Sequence, residues 1–348
     1  MPHAFSRSSS KYGPPARERR VFVSDTVRVP ADVVAAFDRA PGRALMLGHV
    51  HPDADVLGTL LAIGEALQTR GWSVSAGGPH PAPGALSFLP GVERYQVLKT
   101  LEGVFDVAVL TDCPNPDRTE GLIDAAKRAA PVVVNIDHHP DNRRYGTVNW
   151  IDVGAAATGE MVYRLLTALR ASLTPSIATN LFTAVHTDTG SFRYSNVTPE
   201  TFRIAAALTA AGARPDAVSS ALYERRAPDA LRLLGESLAR VRVSDDGRVA
   251  WLALPAGAVP ERFIESEELV NYPRSIAGVK VACLLRELDG GRVKVSLRAK
   301  GDVDVNRIAG GFGGGGHANA AGCTLSGPLD AVTHRVLDAV SAALAAPR

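Results

Sequence analysis

The sequence predicts an α/β protein with two domains, and three observations lead to that prediction. In the first part of the chain, short uninterrupted apolar runs alternate with longer segments of helical periodicity. Such runs, separated by helices, are typical of a parallel sheet that is covered by helices on both faces. Later in the chain, apolar residues alternate with a period of two, which indicates a second, smaller α/β domain. A length of 348 residues fits about two domains.

The elements of the predicted N-terminal domain, residues 21–212, follow from the apolar pattern in chain order. Three runs are compact enough to be buried strands, and two longer stretches have helical spacing. Thr198 and Pro199 are typical of a helix N-cap and of the first helical position. The predicted strands lie at residues 44–47, 107–110 and 132–136, and the helical stretches lie at 56–67 and 161–169.

The rest of the chain divides into three further predicted parts. Residues 1–20 are expected to form a flexible basic tail, and residues 213–242 a helical linker. Residues 243–348 are the predicted C-terminal substrate-binding domain, in which two strands of period two flank a turn at Asp289-Gly290-Gly291. Beyond them we expect a glycine-rich loop and a helix over 329–344.

The composition excludes several classes of protein. Apolar residues make up 46% of the chain, which excludes a disordered protein. No apolar run reaches the roughly 18 residues of a membrane-spanning helix, and we expect neither a secretory signal nor a membrane partner. The 38 basic and 36 acidic residues leave a net charge of +2, which argues against a coat on long nucleic acids. The three cysteines are spaced neither as metal ligands nor as a disulfide framework, which favours a reducing, cytoplasmic location.

Side chains that can bind metal ions follow the predicted strands directly. Because ligands bind at the carboxyl ends of strands in a parallel sheet, we expect these loops to meet. Several carboxylates in one crevice would raise one another's pKa, and two divalent cations would balance four of them. Mixed imidazole and carboxylate ligands favour Mn²⁺, with Mg²⁺, Fe and Co left open. The candidates are His49, Asp53 and Asp55, then Asp112, then Asp137, His138 and His139, and finally Asp188 after the apolar run 181–185.

Each candidate also has an ordinary structural interpretation. Asp112 alone could cap a helix, and Asp188 could form a turn with the Thr and Gly that follow it. His138 and His139 could be an exposed pair before a proline. Their occurrence as one ordered set favours a pair of metal ions, an arrangement that can clamp an in-line displacement at phosphorus.

The motifs HVHPDAD, LTDC, DHH and HTDTGSF have the order and spacing of the four motifs of the DHH (Asp-His-His) phosphoesterase superfamily. The later stretches VSLRAKG and GGFGGGGHANAAG resemble the signature of the DHH-associated C-terminal domain of subtype 1. The resemblance covers roughly residues 22–348. Within the superfamily, the sequence most resembles the short members. These are the nano-RNase and pAp-phosphatase type and the stand-alone cyclic-di-AMP/pApA phosphodiesterases.

The resemblance implies a role for each motif residue. One metal would be held by His49, Asp53 and Asp112, and the other by Asp55, His138 and Asp188, with Asp112 bridging both. His139 would face the scissile phosphate as a ligand or proton donor, and Asp137 would orient the histidines. His51, where relatives often have Asn, is a candidate substrate contact. A homodimer is implied by the resemblance alone.

The C-terminal domain supplies the candidate substrate-binding residues. Ser296 and Arg298 share one face of a predicted strand and could bind a phosphate, or they could belong to an ordinary polar sheet face. Gly314, Gly315 and Gly316 could bring backbone N–H groups close to a phosphate, with His317 beside them, or form a flexible linker. In the first domain, Asn142 and Arg143 could lean toward the site or be solvated, whereas Cys113 is expected to serve packing alone.

The expected activity is a manganese-dependent phosphodiesterase or phosphatase acting on short nucleotides. Candidate substrates are pApA and other RNAs of two to five nucleotides, pAp and cyclic di-AMP. The missing track of Lys and Arg favours short substrates over long strands. The alternatives are a RecJ-like single-strand exonuclease, a pyrophosphatase, and a non-catalytic nucleotide sensor or RNA-binding module that retains the metals.

Overall fold

A computed structural model describes residues 28–258 and 269–345 of the chain. The predicted basic tail, residues 1–20, lies outside the described residues. Two six-stranded sheets organise the described part. The α/β class, the parallel first sheet and the second, smaller α/β unit are confirmed.

The first sheet is parallel throughout and has the strand order β3-β2-β1-β4-β5-β6. The three predicted strands are β1, β4 and β5, which lie side by side in the middle of the sheet. The strands are β1 (Arg43–Leu47), β2 (Ser73–Gly78), β3 (Tyr95–Val97), β4 (Val107–Thr111), β5 (Val132–Asp137) and β6 (Val148–Ile151).

The central strands of this sheet are buried on both sides because helices cover both of its faces. Leu45, Leu110 and Val133 pack on the face that α3 covers, whereas Met46 and Val109 pack on the opposite face with the larger set of helices. The helices of this region are α1 (Ala31–Phe37), α2 (Ala54–Thr69), α3 (Leu122–Ala129), α4 (Thr158–Ala168), α5 (Pro175–Asp188) and α6 (Pro199–Ala210), with short 3₁₀ helices at Gly84–Leu86, Val92–Arg94 and Pro116–Thr119.

Helices α2 and α5 pack closely, so that the N-terminal end of α2 and the C-terminal end of α5 lie near each other. A Cβ at Gly58 of α2 would lie 2.4 Å from the carbonyl oxygen of Asn180 in α5, so only glycine permits this approach. The apolar run 181–185, which precedes the fourth motif, belongs to α5 and not to a strand. Asp188 is therefore the last residue of a helix, whereas the other three motifs follow strands.

The second sheet has the order β11-β12-β10-β9-β8-β7 and is antiparallel except between β8 and β9. The predicted hairpin is present, with Gly290 and Gly291 at positive φ in its turn. Val293, Val295 and Leu297 of β10 are buried in one apolar cluster, as the period of two predicts. The strands are β7 (Arg242–Val243), β8 (Val249–Leu254), β9 (Val281–Leu288), β10 (Arg292–Ala299), β11 (Gly315–His317) and β12 (Ala320–Ser326).

The predicted linker segment, residues 213–242, contains two helices between the sheets. The helices of this second half are α7 (Pro215–Tyr223), α8 (Pro228–Leu238), α9 (Asn271–Ser275), α10 (Val305–Gly310) and α11 (Leu329–Ala345). Among the described residues, every helix is too short or too polar to cross a lipid bilayer. The division of the chain at residues 212 and 242 stays a prediction.

Candidate metal centre

The carboxyl ends of β1, β4 and β5 bring the predicted metal-binding residues together. Asp112 directly follows β4, and His138 directly follows β5. Among the described residues, four sets of three possible ligand atoms lie within 4.8 Å of one another, and two of the four consist of the predicted metal ligands alone. One set is His49, Asp53 and Asp112, and the other is Asp55, His138 and Asp188.

His49 presents a neutral imidazole to the first set. Its Nδ1 lies 2.8 Å from the carbonyl oxygen of Val50, which leaves Nε2 as the nitrogen with a free lone pair. Nε2 is buried and has no hydrogen-bond partner in the described structure. Burial and the nearby Arg118 guanidinium lower the pKa of His49 to about 3, so the ring is uncharged at neutral pH. A buried, unpartnered lone pair is what a metal ion would satisfy.

The N-terminus of α2 holds the next two carboxylates. Asp53 is the N-cap, and its Oδ1 accepts from the backbone N–H groups of Asp55 and Val56. Asp55 lies in the first turn, where the N–H groups of Thr158 and Gly159, at the start of α4, donate to its two oxygens at 2.7 and 2.8 Å. Two helix N-termini therefore stabilise the negative charge of this pair.

Asp112 occupies the centre of the arrangement. Its φ of +53° is rare for a residue other than glycine, and Asp and Asn tolerate it best. Its Oδ1 accepts from the Thr158 hydroxyl at 3.2 Å and lies 3.3 Å from His138 Nε2. Although burial alone would raise its pKa, the imidazoles of His139 and His138 lower the pKa of Asp112.

The second set is centred on His138. Its Nδ1 lies 3.1 Å from the carbonyl oxygen of Ala155, so Nε2 points to the carboxylates. Nε2 lies 3.4 Å from Asp188 Oδ2 and 3.9 Å from Asp55 Oδ2. Burial opposes the charged ring, but the charges of Asp188 and Asp112 raise the pKa of His138 well above its usual value.

Asp137 orients the two histidines of the DHH motif. Its Oδ1 accepts from the backbone N–H groups of His138 and His139 and lies 2.8 Å from His139 Nδ1. Its Oδ2 accepts from the Asn142 amide, so Asn142 does reach the site. Arg143 instead forms an exposed ion pair with Asp117.

The charge of Asp112 raises the pKa of two neighbouring carboxylates, as the sequence predicts, whereas the pKa of Asp112 itself is lowered. Loss of hydration and the charge of Asp112 raise the pKa of Asp53 to about 7, although part of that residue remains in contact with solvent. Burial and the same charge raise the pKa of Asp55 well above its ordinary value. Four carboxylates and the two buried ring nitrogens His49 Nε2 and His138 Nε2 in one crevice fit a pair of divalent cations.

His317 connects the second sheet to this centre. Its ring stacks on that of His139, with centroids 4.1 Å apart and planes inclined by 23°, and its centroid lies 4.6 Å from that of His138. Burial, together with His139 and His138, lowers the pKa of His317 to about 2. His317 of the second sheet therefore lies directly beside His138 and His139 of the first.

The glycine-rich stretch is not simply a loop. Gly315, Gly316 and His317 form the edge strand β11, which pairs with β12. A Cβ at Gly314 would lie 2.1 Å from the carbonyl oxygen of Gly322, and one at Gly316 would lie 2.5 Å from that of Ala320. Packing within the sheet thus requires glycine at these two positions, independently of any ligand. In β10, on the other side of β12, Ser296 is buried and Arg298 is half-buried.

Sequence reasoning missed two residues beside the centre: Thr158, which donates to its carboxylates, and Arg118, whose charge helps to keep His49 neutral. Thr158 contacts Asp55 through its backbone and Asp112 through its hydroxyl, and the Arg118 guanidinium lies 3.2 Å from His49 Nδ1. Neither belongs to a motif, and the sequence around Thr158, AAATGEM, contains no local signal that could have pointed to it. His51 is exposed and contacts His80, which lies after β2, with ring centroids 4.4 Å apart.

Two family models match the chain. The model of the DHH family, N-terminal domain, matches residues 43–186, and the DHHA1 domain model matches residues 263–346. The chain is 37% identical over 326 residues to the bifunctional oligoribonuclease and PAP phosphatase NrnA of Thermus thermophilus, covering 91% of this chain and 94% of that protein. It is 27% identical over 287 residues to the protein of the same name in Bacillus subtilis, covering 80% and 87%.

The fold also matches a solved structure. The crystal structure of an exopolyphosphatase-related protein from Bacteroides fragilis superimposes with a TM-score of 0.79 at 25% sequence identity. The match covers 92% of this chain and 97% of that chain, so it includes both sheets.

Proposed function

This chain belongs to the DHH family and carries a DHHA1 domain, and we propose that it hydrolyses short nucleotides, namely nano-RNAs such as pApA, and pAp. It is a hydrolase of phosphoester bonds, as the names of its relatives in Thermus thermophilus and Bacillus subtilis indicate for those proteins. The single observation that carries the proposal is the pair of buried ring nitrogens, His49 Nε2 and His138 Nε2, facing the gathered carboxylates.

Two divalent cations fit the donor sets described above. His49, Asp53 and Asp112 would hold one of them, and Asp55, His138 and Asp188 would hold the other, with Asp112 shared. We favour Mn²⁺ because the ligands mix imidazole and carboxylate. When bound, such a pair supplies Lewis acidity that activates water and stabilises charge on phosphoryl oxygens.

The residues around the metal ligands would position the substrate and bind its negatively charged phosphate. Asp137 accepts from His139 Nδ1, which fixes the ring so that its other nitrogen is available to a phosphate oxygen. His317 packs against that ring from the C-terminal domain. Ser296 and Arg298 complete the proposed phosphate contacts, since a guanidinium can bind a phosphate through two parallel hydrogen bonds.

The proposal favours short ligands over long strands. The net charge of +2 provides no excess of positive charge to attract a long polyanion. The stacked rings of His317 and His139, with centroids 4.1 Å apart, bring the second sheet close to the metal centre. Three further parts of the proposal rest on family resemblance: cyclic di-AMP as a substrate, a homodimeric assembly and a cytoplasmic location. Gel filtration with light scattering tests the dimer.

A substrate panel tests the function. We expect hydrolysis of pApA and pAp in Mn²⁺, abolished by a chelator and reduced at least a hundredfold in Asp112→Asn, which keeps a residue type that tolerates positive φ. Asp117→Asn, a change in the exposed aspartate that pairs with Arg143, is the matched control and should keep full activity. Preferred hydrolysis of pyrophosphate or of long single strands, or pApA hydrolysis that a chelator leaves intact, would contradict the proposal.

A further inference from the structure

Asp188 differs from its two partners in the second set in how the fold holds it. It is the last residue of α5, and its side chain is 30% exposed, whereas those of Asp55 and His138 are each 3% exposed. The last carbonyl groups of a helix have no further turn to donate hydrogen bonds to them, so helix ends need partners from outside the helix. The position of Asp188 therefore depends on the groups that contact the end of α5.

The chain turns back immediately after α5. Gly190, Ser191 and Phe192 all have positive φ, of 56°, 61° and 61°. This conformation is unfavourable for serine and still more so for the bulky phenylalanine, and it persists only where the surroundings hold it. The Phe192 N–H donates to the Thr189 hydroxyl at 3.1 Å, which is one such restraint. The left-handed turn returns the chain to the helix and places Asn196 against the end of α5.

Asn196 joins the end of α5 to the loop before α4. Its Nδ2 donates to the Asp188 carbonyl oxygen at 3.2 Å and to the Ala156 carbonyl oxygen at 2.9 Å. Because both neighbours are acceptors, this end of the side chain is the amide nitrogen, and both of its hydrogens are used. The Ala156 peptide group is also held from its other side, since its N–H donates to the buried Glu160 carboxylate at 3.2 Å.

The same loop contacts the other two ligands of the second set. The Ala155 carbonyl oxygen lies 3.1 Å from His138 Nδ1, and the Thr158 N–H donates to Asp55 at 2.7 Å. The loop before α4 is therefore a common support for these two ligands. Asn196 connects the third ligand, at the end of α5, to that support.

We propose that Asn196 is a positioning residue for the second metal ion. It holds the end of α5 so that Asp188 Oδ2 lies 3.4 Å from His138 Nε2, on the side of the ring where a shared cation would bind. The inference rests on the proposed metal centre and extends it to a residue outside the ligand sets. Asn196 acts through the backbone of Asp188, so its loss should weaken the ion of the second set and spare the ion of the first.

Mn²⁺ binding to Asn196→Leu, measured by calorimetry and by electron paramagnetic resonance of the free ion, tests the proposal. Leucine is similar in size to asparagine and has no donors. We expect the wild type to bind two ions, and the variant to bind one of them about 10–100-fold more weakly and the other within a fewfold of wild type. Asp188→Asn identifies the affected site, because it removes a ligand of the second set alone, and Asn196→Leu should weaken that same site.

Asn149→Leu is the matched control. Asn149 is also half-buried, and its amide also bonds backbone groups, the N–H and carbonyl of Gly146 at 3.0 and 2.7 Å. Its replacement should lower the thermal stability in EDTA and leave both Mn²⁺ affinities unchanged. A purely structural role of Asn196 would give this same result, so the two variants separate positioning from stability.

The outcomes also separate this inference from the proposed function. Unchanged affinity at the Asp188 site in Asn196→Leu, or equal weakening of both sites, would overturn the positioning role. If the leucine variant does not fold, Asn196→Ser, which keeps one donor, should weaken the same site by a smaller factor, and wild-type binding there would overturn the role equally. A wild type that binds two ions but hydrolyses neither pApA nor pAp would refute the function alone, and one that binds fewer than two ions would refute the metal centre and this inference together.

Discussion

Thr158→Val removes one hydrogen bond at the centre of the proposed metal site and changes little else. The Thr158 hydroxyl donates to Asp112 Oδ1 at 3.2 Å, and the residue is fully buried. Valine has nearly the same shape and keeps the backbone N–H that donates to Asp55 at 2.7 Å. The change therefore isolates the support that one carboxylate receives from the side chain of α4.

The expected magnitude follows from the charge of the acceptor. A hydrogen bond to a charged group contributes about 1.5–3 kcal/mol, and residues that orient metal ligands typically affect metal affinity by about 10–100-fold. We expect Thr158→Val to raise the Mn²⁺ concentration for half-maximal hydrolysis of pApA within that range. A tenfold loss of affinity should also remove about 1.4 kcal/mol of the stabilisation that saturating Mn²⁺ gives to the fold.

Two assays measure the effect, and one variant controls for it. Hydrolysis and thermal unfolding are each followed across a Mn²⁺ titration, so that affinity is read without relying on turnover alone. Thr158→Ser, which retains the hydroxyl, should behave more like wild type than valine does. If valine and wild type have the same Mn²⁺ dependence in both assays, the hydroxyl does not support Asp112 and the reasoning is refuted.

Three further predictions concern packing, a buried ion pair and a cysteine. Gly58→Ala should destabilise the fold by about 1–3 kcal/mol in urea denaturation, because the new methyl group would lie 2.4 Å from the Asn180 carbonyl oxygen; an unchanged midpoint would show that α2 and α5 can separate at no cost. Arg164→Met should lower the free energy of unfolding by about 3–5 kcal/mol in the same assay, because it leaves the buried Glu160 without the nearby guanidinium. A decrease of less than about 1 kcal/mol would contradict this prediction. Cys113→Ala should keep kcat for pApA within a fewfold of wild type, because burial raises the pKa of the thiol to about 11 and the thiolate is the reactive form; loss of turnover in a folded variant would make the thiol part of the chemistry.

The sequence predicts the central strands better than the edge of the first sheet, and the reason is physical. β1, β4 and β5 are buried on both faces and are continuous apolar runs. β2 has the sequence SVSAGG, which carries no such signal. Its last glycine is needed because a Cβ at Gly78 would lie 2.2 Å from the Tyr95 hydroxyl, a contact between distant residues that no local pattern reveals.

The same holds for the candidate site: residues next to strand ends can be predicted from the sequence, whereas residues placed by tertiary packing cannot. His49, Asp53 and Asp112 are adjacent to strand ends, so the rule that ligands bind at the carboxyl ends of parallel strands brings them together. Thr158 reaches Asp112 from 46 residues away through the packing of α4, which sequence reasoning cannot place. The glycines before His317 were predicted from the needs of a ligand, whereas packing against β12 already requires two of them.

Anomalous diffraction from crystals grown with MnCl₂ tests the central claim most directly. The account predicts two manganese peaks, one bounded by His49, Asp53 and Asp112 and the other by Asp55, His138 and Asp188, with the Asp112 carboxylate between them. Manganese at neither set, or a single ion bound elsewhere on the surface, would contradict it.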